Sequence, residues 1–180
     1  IFRLFEVLDR HELRATLAVN ASALARYPGL IEEALARGWD IAAHGEAADD
    51  MVTSRMSEDQ EAGLIGRSLT ALEAATGTRP RGWIAQDFGE STRSISLLAR
   101  AGVEWVAHWP NDDQPYWIGS PPEIVSVPQL SELDDVECLW HRRVPTPRWP
   151  LMLEEAVNVL AGEGGRVDRK STRLNSSHQI

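Results

Sequence analysis

Short apolar segments alternate with helical segments along most of this chain, and this alternation restricts the possible fold more than any other feature. The apolar segments are predicted to be strands, and they are Arg14–Val19, Trp39–Ala43, Arg81–Ala85, Val103–Trp109 and Ile124–Pro128. Amphipathic helical patterns lie between them, and the longest begins with a capping-box pair, Ser57 and Gln60. Repeated strand–helix units predict a mainly parallel sheet covered by helices.

Two architectures are consistent with such a sheet: an open doubly wound sheet and part of a (β/α) barrel. No glycine-rich phosphate loop follows any predicted strand, which disfavours the nucleotide-binding doubly wound sheet. A complete barrel needs about 250 residues, whereas this chain has 180. We therefore predict an α/β fold that is a partial, distorted (β/α) barrel, with parallel strands and outer helices.

The two ends of the chain differ from its centre. The chain starts at Ile1 inside a helical pattern, so we expect the barrel to begin upstream. The end, residues 168–180, contains Lys170, the one lysine among 18 lysine and arginine residues. Its stretch DRKSTRLNSSH matches the translation of a sequencing-adapter oligonucleotide. We predict that residues 1–167 are a fragment of one barrel domain and that residues 168–180 are non-native.

Composition excludes several classes of partner. The net charge is −9 and no basic stripe is present, which argues against nucleic acid and against an anionic membrane surface. No apolar stretch reaches the length of a membrane-spanning helix. The single cysteine, Cys138, excludes an internal disulfide and a cysteine-based zinc site, and we predict it to be a core residue. The location we expect is the cytoplasm.

Polar residues follow the predicted strands, and in a (β/α) barrel this edge of the sheet carries the chemistry. Those after the second, third and fourth strands are His44, Glu46, Asp49, Asp50, Gln86, Asp87, Glu90, His108, Asn111, Asp112 and Asp113. This acidic, histidine-containing rim suits a hydrolytic site, with or without a divalent metal. The alternative is that these residues have structural roles only. A lone histidine at a strand end is often just a hydrogen-bonded residue, and two aspartates before Pro115 are typical of a turn.

Three segments resemble the polysaccharide deacetylase superfamily, most closely its allantoinase-like branch. They are ATLAVNASALARYPGLIEEALARGWDIAAHG, MSEDQEAGLIGRSLTALEAATGTRPRGW and NDDQPYW, and the resemblance covers about residues 1–137. It implies a distorted, incomplete (β/α) barrel. It also implies hydrolysis of carbon–nitrogen bonds other than peptide bonds, either in acetamido groups on sugars or in the ring amide of allantoin.

The resemblance assigns a role to His44, which matches the first histidine of an H-S-x-x-H motif that binds a divalent metal such as zinc. The second histidine of that motif is replaced by Ala48, and an arginine of the third motif is replaced by Ile84. His44 is therefore the candidate catalytic residue and a candidate metal ligand, and a metal-independent site is the alternative. The first motif, an Asp pair, would precede Ile1, and a late histidine motif would follow residue 167.

The resemblance also implies a set of substrate-binding residues. Asp112 and Asp113 would accept N–H bonds from a urea-like or amide substrate. Aromatic residues would form pocket walls, and they are Trp83, Trp109, Tyr116 and Trp117. Core packing is the alternative for the tryptophans.

The predicted function is allantoinase-like amide hydrolysis, for which this fragment alone is expected to be inactive. The substrate would be a small amide or an acetylated sugar. The alternatives are an N-acetyl sugar deacetylase of the chitin or peptidoglycan type, and a catalytically inactive binding member of the family.

Overall fold

The computed structural model describes residues 2–162, which form one six-stranded sheet with helices around it. The strands are β1 Thr16–Val19, β2 Asp40–Ala43, β3 Gly82–Ile84, β4 Trp105–His108, β5 Tyr116–Ile118 and β6 Ile124–Pro128. The helices are α1 Phe2–Arg10, α2 Ala21–Arg26, α3 Pro28–Ala36, α4 Glu58–Thr76, α5 Ser94–Arg100 and α6 Trp149–Gly162. Short helical turns cover Gln86–Phe88, Ser131–Leu133 and Val136–His141.

The sheet has the strand order β1-β2-β3-β4-β6-β5. All neighbours are parallel except β5, which pairs antiparallel with β6 at the edge. The predicted α/β fold with parallel strands and outer helices is thus confirmed. Strand β5 was not predicted, because three residues that follow the prolyl turn at Pro115 are too short to show an alternating pattern.

The register of the sheet assigns side chains to two faces. Val19 pairs with Ala43, Ala43 with Trp83, and Trp83 with Val106, which in turn pairs with Ser126. Because paired residues point the same way, these side chains share one face. Their apolar members pack against buried side chains of α4 and α5, which are Leu64, Ile65, Leu69, Leu72, Leu97 and Leu98. We call this the helix-covered face.

The opposite face of the sheet carries Ala18, Ala42, Ile84 and Ala107, which alternate with the residues of the helix-covered face. We call it the second face. Ala18 is exposed there and Ile84 is half-buried, so solvent reaches this side of the sheet. A side chain at the carboxyl end of a strand can therefore meet a ligand on the second face.

Helix α4, which separates β2 from β3, has the predicted ends and the predicted buried stripe. Ser57 Oγ accepts a hydrogen bond from the Gln60 backbone at 3.2 Å, and the Gln60 side chain accepts one from the Ser57 backbone at 2.8 Å. The helix ends at Gly77, which has the left-handed φ of 74° that favours glycine. The predicted stripe, Ile65, Leu69 and Leu72, is buried.

Two further expectations concern composition and the chain end. Cys138 is buried as predicted, and its Sγ donates a hydrogen bond to the Glu132 carbonyl at 2.8 Å. Within residues 2–162, none of the helices combines the length and the apolar character needed to cross a membrane. The segment predicted to be non-native, residues 168–180, lies outside the described residues.

Candidate active site

His44 is the first residue after β2, and a backbone carbonyl fixes its ring. Its Nδ1 lies 2.7 Å from the carbonyl oxygen of Ile84, the last residue of the neighbouring strand β3. A carbonyl oxygen can only accept, so Nδ1 carries the hydrogen. In the neutral imidazole Nε2 then keeps the lone pair, and this nitrogen can take a proton or bind an electrophile.

The substitution at position 84 does not remove this bond. The resemblance identified Ile84 as a departure because its side chain replaces an arginine. However, the contact with His44 uses the main-chain oxygen, which every residue type provides. The orientation of the histidine is therefore independent of the side chain at this position.

The turn after His44 is held by side chains from other elements. Asn20, which follows β1, donates from Nδ2 to the His44 carbonyl. Ser68 of α4 donates from Oγ to the Gly45 carbonyl at 2.9 Å. Because β1 and α4 both bind this turn, the backbone under the histidine has little freedom to move.

Gln86, which lies after β3, closes the same turn from the other side. Its Nε2 donates to the Ala47 carbonyl at 2.9 Å, and its side chain is buried. Gly45 has a φ of 80°, and a Cβ at this position would overlap Gln86 Oε1. Glycine is thus required by both the backbone conformation and the close approach of Gln86.

Two consecutive left-handed residues follow Gln86. Asp87 has φ 43° and ψ 39°, and Phe88 has φ 58°. This conformation costs a non-glycine residue roughly 1–2 kcal/mol. It accompanies a stacked pair, in which the rings of Phe88 and Trp109 lie 4.6 Å apart with an interplanar angle of 30°. Trp109, directly after β4, is 53% exposed.

The predicted aspartates lie in the exposed loop between β4 and β5. Asp112 Oδ1 accepts a hydrogen bond from the Gln114 backbone at 3.2 Å, which is a turn of the kind expected before Pro115. This bond is the main reason that the pKa of the Asp112 carboxyl lies below its usual value, and a hydrogen bond with the Asp113 side chain lowers it further. The structural interpretation therefore accounts for Asp112, and a substrate role for both aspartates stays a prediction.

Three predicted pocket-wall residues are not brought together with His44. Trp83 is 4% exposed and packs on the helix-covered face, whereas His44 bonds to Ile84 O beside the second face. Tyr116 and Trp117 lie in β5, and three strands separate β5 from β2 in the sheet. Their role in substrate binding stays a prediction without support from this geometry.

His108, a member of the predicted rim, is instead 5% exposed on the helix-covered face. Its Nδ1 lies 3.0 Å from Glu90 Oε2, and its Nε2 lies 3.1 Å from Ser126 Oγ. The cavity beside it measures about 10 Å³, which is at the lower limit of the volume that one water molecule needs and is too small for a substrate. Strand alternation with the apolar Val106 would have indicated this orientation, since the two residues share a face.

An open cleft of about 610 Å³ lies beside the turn after His44. An ion pair borders it, in which Arg67 Nη2 lies 2.8 Å from Glu46 Oε2. The other lining residues are Ala21, Ser22, Ala47 and Asp50, and His44 does not line the cleft.

The residues of the described chain do not fit a divalent metal held by three side chains. Within residues 2–162, no group of three or more His, Cys, Asp or Glu side chains is placed to hold a metal ion. The side chain of Ala48, four residues after His44, has no donor atom. A metal at His44 would need ligands from elsewhere, so no chemical step is assigned to a metal.

Comparison with known proteins identifies the family. Residues 2–106 match the family model described as polysaccharide deacetylase. The peptidoglycan deacetylase-like protein FGM2 of Gibberella zeae is 25% identical over 161 residues. That alignment covers 87% of this chain and 45% of FGM2, so the chain spans about half the length of the curated relative it matches.

Solved structures with the same fold carry names from both branches of the family. A protein from Mycobacterium smegmatis classed with the polysaccharide deacetylases has a TM-score of 0.79 and 24% identity over 91% of this chain and 59% of its own. Puue allantoinase has a TM-score of 0.78 and 23% identity over 91% of this chain and 54% of its own. These likenesses confirm the distorted barrel and do not separate the two activities. With more than half of its residues inside the family match, the chain belongs to the polysaccharide deacetylase family.

Proposed function

We propose that this chain is the His44-bearing part of an amide hydrolase that opens a cyclic, allantoin-like amide. The observation that carries the proposal is the bond from His44 Nδ1 to the Ile84 carbonyl, which leaves the lone pair on Nε2. An oriented neutral imidazole is the arrangement that a general base needs. The turn held by Asn20, Ser68 and Gln86 supports the same conclusion, because a fixed base loses little entropy when substrate binds.

In the proposed reaction, His44 Nε2 takes a proton from a water molecule while the water oxygen attacks the amide carbon. The imidazolium then returns the proton to the leaving nitrogen as the carbon–nitrogen bond breaks. The products are a carboxylic acid and the released N–H group, which is a ureido NH2 for an allantoin-like ring, and both remain in one molecule because the substrate is a ring.

Two substitutions and two aspartates favour a cyclic amide over an acetylated sugar. Ala48 and Ile84 replace the histidine and the arginine that the resemblance expects of sugar deacetylases. Asp112 and Asp113 supply carboxylate oxygens, which suit the N–H groups of a ureide. An N-acetyl sugar deacetylase remains the second candidate, supported by the likeness to FGM2. An inactive binding protein is the third, supported by the same two substitutions.

The test compares two substrates with purified full-length protein. Hydrolysis of allantoin forms a carboxylate and releases no acetate, whereas hydrolysis of diacetylchitobiose releases acetate. We expect turnover of allantoin without turnover of the sugar. Acetate release instead would establish the second candidate, and inactivity on both substrates, with and without added Zn²⁺, would contradict the hydrolase.

A further inference from the structure

The segment between β6 and α6, residues 132–148, has no role in the reaction proposed above. It contains the helical turn Val136–His141 and the loop that leads to α6. We propose that this segment is the contact surface of a two-fold dimer, in which the partner is a second copy of this chain. Three features carry the proposal: an exposed apolar pair, charges of opposite sign on its two sides, and the order in which these groups follow one another.

Val136 and Trp140 form the apolar centre of the segment. They are 55% and 75% exposed, and Trp140 is the most exposed of the large apolar side chains in residues 2–162. Cys138, which lies between them, is fully buried. The helical turn therefore packs on the protein through Cys138 and presents Val136 and Trp140 to solvent. Tryptophan and arginine are enriched among the residues that dominate binding at protein interfaces, so an exposed tryptophan followed by arginines favours an interface.

Charged side chains of opposite sign flank the apolar pair. Asp134, on the acidic side, is engaged within the chain, because its Oδ1 accepts hydrogen bonds from the backbone of Val136 and Glu137 at 2.9 and 3.0 Å. Arg142, on the basic side, reaches only a backbone oxygen, the Glu132 carbonyl at 3.5 Å. In the part of the chain that the structure describes, six of the flanking side chains form no ion pair, and they are Glu132, Asp135 and Glu137 at the acidic end and Arg142, Arg143 and Arg148 at the basic end.

The order of these groups makes the segment complementary to itself. A two-fold axis reverses the direction of the second copy, so an axis beside Trp140 sets the acidic end of each copy against the basic end of the other. The apolar pairs then meet at the centre. Arginine suits such contacts, because its planar guanidinium can bind a carboxylate through two N–H bonds. Complementation of the helix dipole would explain the order of the charges, but it would not explain the apolar pair exposed between them.

Charge also separates a second copy from other partners. Nucleic acid or an anionic membrane would meet the acidic end together with the basic end, and the net charge of −9 opposes both. A second copy carries the same net charge, but physiological salt screens charges that lie more than about 8 Å apart and leaves close ion pairs in place. The segment supplies fewer residues than the roughly 20–30 a side of a standard interface. We therefore expect a weak dimer, with a dissociation constant on the order of micromolar.

Sedimentation velocity of the full-length protein, over a concentration series that spans the micromolar range, tests the dimer. We expect a monomer–dimer equilibrium in the parent protein. Trp140→Ser should weaken it at least about tenfold, because a two-fold interface loses the tryptophan twice. Tyr27→Ser is the matched control, since Tyr27 is 59% exposed between α2 and α3 and should leave the equilibrium unchanged. A parent protein that stays monomeric, or a dimer that Trp140→Ser does not weaken, would overturn the proposal.

Charge reversal tests the order of the charges. One triple variant carries Arg142→Glu, Arg143→Glu and Arg148→Glu, and the other carries Glu132→Arg, Asp135→Arg and Glu137→Arg. Each variant alone should lose the dimer, because like charges meet at both ends of the interface. An equimolar mixture should recover it as a heterodimer, since opposite charges then meet at both ends. Recovery would also show that both variants are folded. A mixture that stays monomeric, although each variant keeps the circular dichroism melt of the parent, would overturn the two-fold arrangement.

Discussion

Removal of the Glu61 carboxylate is expected to be strongly destabilising. Glu61 lies in the first turn of α4 and is fully buried. Its Oε2 accepts a hydrogen bond from Ser91 Oγ at 2.7 Å, and its Oε1 accepts one from Ser94 Oγ. Arg93 Nη2 lies 3.5 Å from Oε2 and also donates to the Met56 carbonyl at 2.6 Å. One carboxylate thus ties α4 to the start of α5.

The cost of Glu61→Ala can be estimated from these contacts. Breaking a buried ion pair on one side costs about 3–5 kcal/mol. The Arg93 side chain is 33% exposed and keeps some hydration, so we take the lower part of this range. We expect a loss of about 3–4 kcal/mol, which corresponds to a fall in Tm of about 6–16 °C. Glu61→Gln should cost about 1–2 kcal/mol, because the amide keeps one acceptor oxygen.

Urea unfolding of the full-length protein measures these losses, and Glu58→Ala is the matched control. Glu58 lies three residues earlier on α4 and pairs with Arg100, but both side chains are more than half exposed. Its removal should change the free energy of unfolding by less than about 1 kcal/mol. If Glu61→Ala costs no more than Glu58→Ala, the buried network does not stabilise the packing of α4 on α5.

Two other perturbations follow from the fold. Gly82→Ala should destabilise the protein by about 2 kcal/mol, since a Cβ there would overlap the Trp105 ring, and an unchanged urea midpoint would contradict this packing. In an NMR titration, Asp112 should titrate below 3.8, because the backbone of Gln114 lowers its pKa. The stabilisation from this bond is complete above the pKa that Asp112 has in the unfolded chain, and it is lost as pH falls through the pKa in the folded protein. A titration midpoint at or above 3.8 would contradict this expectation. Asp40 should titrate above 3.8, because burial raises its pKa more than nearby arginines lower it, so its ionisation reduces stability as pH rises.

The sequence predicted those elements whose signal is local. The capping box at Ser57 and Gln60 and the glycine at position 77 define α4, because each works through hydrogen bonds or dihedral angles within a few residues. Position 44 was identified because an apolar strand ends there. These features do not depend on how distant parts of the chain meet.

Features that depend on the register between strands could not be determined from the sequence, which left core packing open for Trp83 and the orientation of His108 undecided. Trp83 and His108 both turn to the helix-covered face, which alternation predicts only once the strand starts are known. The bond from His44 to the Ile84 carbonyl uses an atom that every residue possesses, so no sequence pattern could reveal it. The sequence showed that isoleucine replaces the expected arginine at position 84, but it could not show that the main-chain contact with His44 is kept.

The measurement that tests this account most directly is the turnover of allantoin by His44→Ala in the full-length protein, with His11→Ala as the control. His11 is an exposed histidine just after α1. We predict that His44→Ala lowers kcat at least about 100-fold, the usual contribution of a general base. The free energy of unfolding should fall by only about 1 kcal/mol, because one hydrogen bond to the Ile84 carbonyl is lost. His11→Ala should match the parent. Equal turnover by His44→Ala and the parent would contradict the account.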